Sequence, residues 1–276
     1  MIVQHNMTAL NANRQLGITN TNLARSTEKL SSGYRVNRAA DDAAGLSISE
    51  KMRGQIRGLE QASTNAEDGQ SLIQTAEGAL SEIHSVLQRM RELTVQASND
   101  TNVSADRKAI AKEVRALTSE INRIATQTQF NTMGLLSGGF KNKKLQVGAN
   151  TNQTISITIS SMTAGKLGVS ATVIAKVISS KTGADITKLI TTVNTAITKV
   201  STQRSALGAL QNRLDHTIAN ADNMAENLQS SESKIRDVDM ADEMVSYSAS
   251  SILQQAGQSM LAQANQATQG VLSLLQ

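Results

Sequence analysis

The sequence predicts a mostly α protein, a long antiparallel, coiled-coil-like helical bundle whose N- and C-terminal helices pair, with one small β-hairpin region. Three observations predict it. Apolar residues recur at steps of three and four over more than five heptads in two separate stretches. The 276 residues contain no Pro, where average usage of ~5% would give roughly 14. A central stretch abandons the helical period for alternation. With only two Tyr, two Phe and no Trp, the apolar 39% is nearly all Ala, Leu, Ile, Val and Met, which suits thin helices better than a thick globular core.

The elements follow in order. Ala9, Leu16, Leu23 and Leu30 recur every seven residues and stop at Ser31-Ser32-Gly33, a helix followed by a loop that lasts until Ile48 and Met52. From Leu59 the sites run Ala62, Ala66, Gly69, Ile73, Ala76, Leu80, Ile83, Leu87, Met90, Thr94 and Ala97, a strict seam that predicts a straight helix roughly 58 Å long at 1.5 Å per residue. Small residues in that seam imply close approach of a neighbour. Ser98 to Asn102 break it. Ser104 with Asp106 then starts a second helix carrying Ile110, Val114, Leu117, Ile121 and Ile124, and the short gap predicts antiparallel neighbours.

From Phe130 to Gly183 glycines cluster and the helical period is lost. Thr154 to Ser160 alternates Ile155, Ile157 and Ile159 with Thr and Ser, a half-buried strand. Leu145 to Gly148 is its expected partner through Ala149-Asn150-Thr151-Asn152, placing a hairpin near residues 144–160; Val173 to Ile178 reads equally as strand or helix. The longest seam is Ile190, Val193, Ile197, Val200, Arg204, Leu207, Gln211, Leu214, Ile218, Ala221, Ala225, Leu228, Glu232 and Ile235. Its phase slips by a three-residue step at Ile235 to Val238, the signature of a joint between two packing units. Residues 1–44 with 235–276 are therefore expected to form paired terminal helices, and residues 45–234 a helical rod domain with the hairpin.

The final segment carries Leu253, Ala256, Met260, Ala264, Ala267, Val271 and Leu274 at helical spacing, with almost no charge opposite. Two such helices alone bury too little to offset ordering costs of ~1 to 2 kcal/mol per residue. Completing a four-helix monomeric bundle would be the ordinary use, but the phase slip and the uncharged faces argue against solvated surface. Assembly with other copies is the stronger inference, through Leu16, Leu23, Leu30, Leu253, Met260, Val271 and Leu274.

Chemistry is excluded on several counts. Without Cys there is no disulfide, thiol catalysis or cysteine metal site. His5, His84 and His216 lie far apart, none at metal spacing. Asp41-Asp42 and Asp237-x-Asp239 lack the further ligands and glycine turn of a calcium loop and read as acids at helix starts. Arg204 and Glu232 interrupt a seam, a use that fixes register. No catalytic residue, cofactor site or metal site is expected, and enzyme activity is not. The net charge of +4 and pI near 9.4 come from basic residues interleaved with acids, without aromatics for base stacking, so no nucleic-acid partner is expected. No run approaches the ~20 apolar residues needed to span a bilayer, and MIVQHNMTALNANR lacks the ~7 to 15 of a secretory signal.

Three stretches carry a resemblance: NRAADDAAGLSISEKMRGQIRGLEQASTNAEDGQSLIQTAEGAL at Asn37 to Leu80, LQRMRELTVQASND at Leu87 to Asp100, and the tail MLAQANQATQGVLSLLQ. Through them the chain closely resembles bacterial flagellin over essentially its whole length. The resemblance implies an extracellular place in the flagellum and homopolymerisation into the helical filament used for swimming. It also implies export of the unfolded chain through the flagellar export apparatus, a chaperone on the C-terminal helix, addition at the distal tip, and contact with cap and hook-junction proteins. Only Phe140 to Ala184 is available for the variable outer domains of larger flagellins, so a short form lacking them is implied. Family tails often carry a proline in the part aligned with Gln266 to Gln269; this one does not. In flagellins sensed by the flagellin-detecting Toll-like receptor of animals, the stretch matching LQRMREL is the contact site, which selects Arg89 and Leu93, with Glu113 on the adjacent helix. Arg89 and Leu93 fall off the seam, four apart, and are expected on one exposed face that also serves contact between subunits. A hook-filament junction protein, or a non-polymerising coiled-coil secreted protein, would fit the seams as alternatives.

Overall fold

The computed structural model describes residues 6–170, 174, 175, 177, 178 and 183–273, without the side chains of 183–185 and 267–273. Leu274 lies outside the described residues, as does the side chain of Val271. In chain order the elements are α1 (Met7–Ser32), α2 (Ala43–Ser98), α3 (Ser104–Gln127), β1 (Gln129–Phe130), β2 (Met133–Gly134), β3 (Lys143–Gln146), β4 (Thr154–Ile157), α4 (Ala164–Leu167), α5 (Gly183–Arg236) and α6 (Met240–Ser273). They divide into two compact units: residues 1–56 with 226–276, and residues 57–225.

In the second unit every seam position expected between Leu59 and Ala97 is buried. Ile73, Ala76, Leu80, Ile83, Leu87 and Met90 lose their whole surface to one core shared with Val114 and Ile121 of α3 and Val193, Val200, Leu207 and Leu214 of α5. The buried stripe is wider than the seam. Leu72 and Leu93 join it, because a helix flanked by two neighbours covers more than the two heptad sites of a simple pair. Opposed numbering of paired residues fixes the directions. Asp100 with Arg107 (2.9 Å) and Arg89 with Glu113 (3.0 Å) make α2 and α3 antiparallel. Ser63 Oγ donates to Asp222 at 3.0 Å, Gln70 Nε2 to Asp215 at 2.9 Å and Arg204 Nη2 to Glu77 at 3.4 Å, so α5 runs antiparallel to α2. Ser63, Gln70 and Glu77 are seven apart. A slip by one turn would break all three pairs at once, so the rungs fix register.

Among the described residues the irregular stretch holds two hairpins, one of them unexpected. β1 pairs with β2 across Asn131 and Thr132, which both take positive φ (46° and 64°), the twist a two-residue turn requires. β3 pairs with β4, with Leu145 opposite Ile155 and Gln146 opposite Thr154. The expected partner, Leu145 to Gly148, thus begins two residues earlier. Ile155, Ile157 and Ile159 are all buried, as alternation requires. Gly69 lets Leu145 sit against α2; a Cβ there would come within 2.3 Å of Leu145 Cδ2. Of Val173 to Ile178, the described residues 174, 175, 177 and 178 are helical, and Val173 and Lys176 lie outside them.

In the first unit α1 and α6 are antiparallel. Asn6 Nδ2 donates to Ala264 O (3.0 Å), Gln254 Nε2 to Asn20 Oδ1 (2.8 Å), and Lys29 faces Glu243 (3.5 Å). The terminal helices therefore pair as expected.

Candidate assembly surface

Both helix breaks fall where the heptad phase fails. α1 ends on Gly33, whose φ of 74° closes the helix through its N–H on Lys29 O. α5 ends at Arg236 and α6 begins at Met240, bracketing the three-residue slip. The breaks are tied together. Arg35 N donates to Arg236 O (2.7 Å), Val238 N to Gly33 O (3.1 Å) and Arg35 Nη2 to Ile235 O (2.6 Å). The Arg236 guanidinium lies 4.6 Å from the centre of the Tyr34 ring and pairs with Glu50 at 3.0 Å. Ser49 Oγ donates to Glu232 at 2.8 Å, which gives the seam-interrupting acid its partner.

Three of the paired aspartates serve the backbone, whereas Asp237, expected at a helix start, follows the last residue of α5 and accepts from Ser233 Oγ at 2.6 Å. Asp42 caps α2 by accepting from Gly45 N (2.8 Å), and Asp239 caps α6 by accepting from Ala241 N (2.9 Å). Asp41 accepts from Arg38 N (3.0 Å) and Asn37 N (3.2 Å). Those bonds, Arg38 first, hold its carboxyl below the ordinary value. Among the described residues no cluster of three His, Asp or Glu could hold a metal ion, and no helix is long and apolar enough to cross a membrane.

The residues expected to mediate assembly fall on two different faces. Leu16, Leu23 and Leu30 are half-buried and share the stripe of α1 that meets α6, where Leu16 Cδ1 lies 3.3 Å from the site of a Cβ on Gly257. Leu253 and Met260 of α6 flank that contact and are 60% and 62% exposed. Val245 and Ile252 lie exposed beside them, and Met7, Leu10 and Ile18 stand open on α1. Two helices satisfied against one another thus still present apolar side chains to water, more than isolated surface hydrophobics require.

The LQRMREL stretch needs a correction. Leu93, expected on an exposed face, is 2% exposed and belongs to the core, since α2 buries the wider stripe described above. Arg89 remains at the surface, bonded through Nη1 to Glu92 (2.9 Å) and through Nε to Glu113 (3.0 Å). These bonds, Glu92 first, raise its pKa further above the ordinary guanidinium value.

Long antiparallel helices with register rungs, and a terminal pair that leaves large apolar side chains open among uncharged polar ones, define a structural subunit built for assembly. Known proteins agree. The family pattern described as the bacterial flagellin N-terminal helical region matches residues 3–141, and that of the bacterial flagellin C-terminal helical region residues 190–275. A flagellin of Halalkalibacterium halodurans is 53% identical over 275 residues, and one of Bacillus subtilis 48% identical over 303, each aligned over 100% of both chains. A putative flagellar hook-associated protein from Vibrio parahaemolyticus, 12% identical, shares the fold with a TM-score of 0.62 over 71% of this chain and 100% of its own. The chain belongs to the bacterial flagellin family, as a short form. It is a structural, non-enzymatic protein of the extracellular flagellar filament.

Proposed function

We propose that this chain is the repeating subunit of a helical swimming filament, and that residues 1–44 with 235–276 form its polymerisation domain while residues 45–234 form the rod. The observation that carries the reading is the exposed apolar set on α6 and α1, Leu253 and Met260 above all. Each of these side chains gains its burial only when other copies close around the pair. Val271 and Leu274, which continue the helical spacing of Leu253 and Met260 in the sequence, are assigned the same role. Leu16, Leu23 and Leu30 act earlier, by holding α1 on α6 so that the outer faces are presented together.

Export as an unfolded chain suits this composition. With no Pro there is no slow isomer to refold around, and with no Cys no crosslink to undo. The flagellar export apparatus, a chaperone covering the C-terminal helix, and the cap and hook-junction proteins complete the pathway, with addition at the distal tip. Arg89 and Glu113 form the face offered to a neighbouring subunit and to the flagellin-sensing Toll-like receptor of animals, with Leu93 supporting it from beneath.

Seeding purified protein with filament fragments tests the reading by electron microscopy. Tubes that lengthen from the seeds are expected. Isolated rods would point to a junction-type protein, and no polymer at any concentration would overturn self-assembly.

A further inference from the structure

Methionine is among the residue types most often found inside proteins, and Met90 and Met162 keep to that rule in the core. Met7, Met240, Met244 and Met260 do not. They lie on α1 and α6 at 67%, 48%, 48% and 62% exposure, and Met240 and Met244 stand one turn apart on a single face. Burial on assembly does not require sulfur here, because Ile252 and Leu253 of the same helix are as exposed and purely aliphatic. What sulfur adds is reactivity: an exposed thioether is oxidised readily, and a core thioether is shielded.

We infer that these four methionines are an oxidation-sensitive set, open to hydroperoxides in the free subunit and decisive for whether that subunit can join a polymer. The inference rests on reading the open sides of α1 and α6, on which these methionines stand, as the assembly surface. In the step itself a sulfur lone pair attacks one peroxide oxygen. The S–O bond forms as the O–O bond breaks, the thioether loses two electrons to become a sulfoxide, and the departing hydroxide takes up the remaining proton as water. The product is a polar, chiral group with a strong acceptor in place of a soft apolar one. On the open helix pair water solvates it. In a closed interface nothing among the neighbouring apolar side chains donates to it, so burial is penalised. Oxidation therefore leaves folding intact and blocks addition, and reduction of the sulfoxide restores it.

The experiment uses the full chain, treated with hydrogen peroxide as the free subunit and mapped by peptide mass. Met7, Met240, Met244 and Met260 should gain one oxygen each while Met90 and Met162 stay reduced. The concentration needed for seeded polymerisation should rise about tenfold or more, with the far-ultraviolet dichroism unchanged. Sulfoxide reductases acting on both epimers should return it to the untreated value. A chain carrying Met7→Leu, Met240→Leu, Met244→Leu and Met260→Leu should assemble equally well before and after peroxide, although Met133 and Met224 remain exposed in it.

Unimpaired polymerisation of a wild-type chain oxidised at all four positions would overturn the proposal. So would peroxide sensitivity persisting in the fourfold variant, or failure of the reductases to restore assembly; this last arm decides the matter if the variant itself polymerises poorly. Failure of the untreated wild-type chain to polymerise overturns instead the assembly reading on which the proposal stands.

Discussion

Leu253→Asp separates folding from assembly. Leu253 is 60% exposed, so the free chain uses little of its burial energy. Full burial of a leucine is worth about 1.5–3 kcal/mol, leaving about 1–2 kcal/mol to be gained when other copies cover it. The aspartate forfeits that gain and brings an unpaired carboxylate into a closed interface, a further penalty of several kcal/mol. At ~1.4 kcal/mol per factor of ten, a combined loss of about 4 kcal/mol raises the critical concentration roughly a thousandfold. In the free subunit the change touches an exposed helical site, where the effect stays near ~0.5 kcal/mol from lower helix propensity. The melting temperature then falls by only ~1–2 °C. Dichroism melts run beside sedimentation of seeded polymer measure both quantities on one preparation. A fall of about 8 °C or more would place Leu253 in the core of the free chain, and polymer at the wild-type critical concentration would show that the face stays open to water in the filament. Either result defeats the reasoning.

Other sites give independent outcomes. Ile73→Ala empties a fully buried position and should cost about 2–5 kcal/mol, read as a drop in the denaturant midpoint with assembly lost as a consequence. Gly33→Ala meets no neighbour within 4 Å but must hold φ at 74°, so it should cost ~1 kcal/mol from strain alone, while Gly33→Asn should lose less; thermal melts of the two variants compare them. Asp41, its pKa lowered from 3.8, contributes stability that is present above that ordinary value and is lost as pH falls through the lowered one. The amide resonances of Asn37 and Arg38 should therefore titrate below pH 3.8 and stop titrating in Asp41→Asn. Glu113→Ala removes one of two acids on an exposed arginine and should change stability by less than ~1 kcal/mol, measured by chemical denaturation.

How much of this was legible follows from what each pattern encodes. The heptad from Leu59 to Ala97 is a statement about one buried face, and burial follows it position by position. Periodicity says nothing about how many neighbours share that face. Leu72 and Leu93 were therefore invisible as core residues, and Leu93 was expected in solvent. The same limit divided the terminal residues. Leu16 and Leu253 look alike in sequence, but one is covered by its own chain and the other is not. The β1–β2 turn escaped notice because Asn131-Thr132 lacks the glycine that usually marks positive φ, and a β-branched Thr is a poor occupant of that region. The breaks at Gly33 and near Asp237 were readable, since a phase slip and a left-handed residue are both sequence-local. Their connection through Arg35, Val238 and the Arg236–Tyr34–Glu50 contacts was not, because it joins residues about two hundred positions apart.

That connection has a consequence for how the chain can change length. With Gly33 and Val238 bonded to one another, the bend in each strand becomes the origin from which its terminal helix is measured, and the two helices lie antiparallel from a common zero. Seven residues added to α1 next to the bend would move every side chain farther out along that helix past its counterpart on α6. Asn6 would leave Ala264, and Asn20 would leave Gln254. The same seven added to α6 at the matching distance would bring them back into line. Insertions and deletions in the two ends are thus tolerable only in pairs and in whole heptads, so two segments at opposite extremes of the sequence must lengthen or shorten as a single gauge.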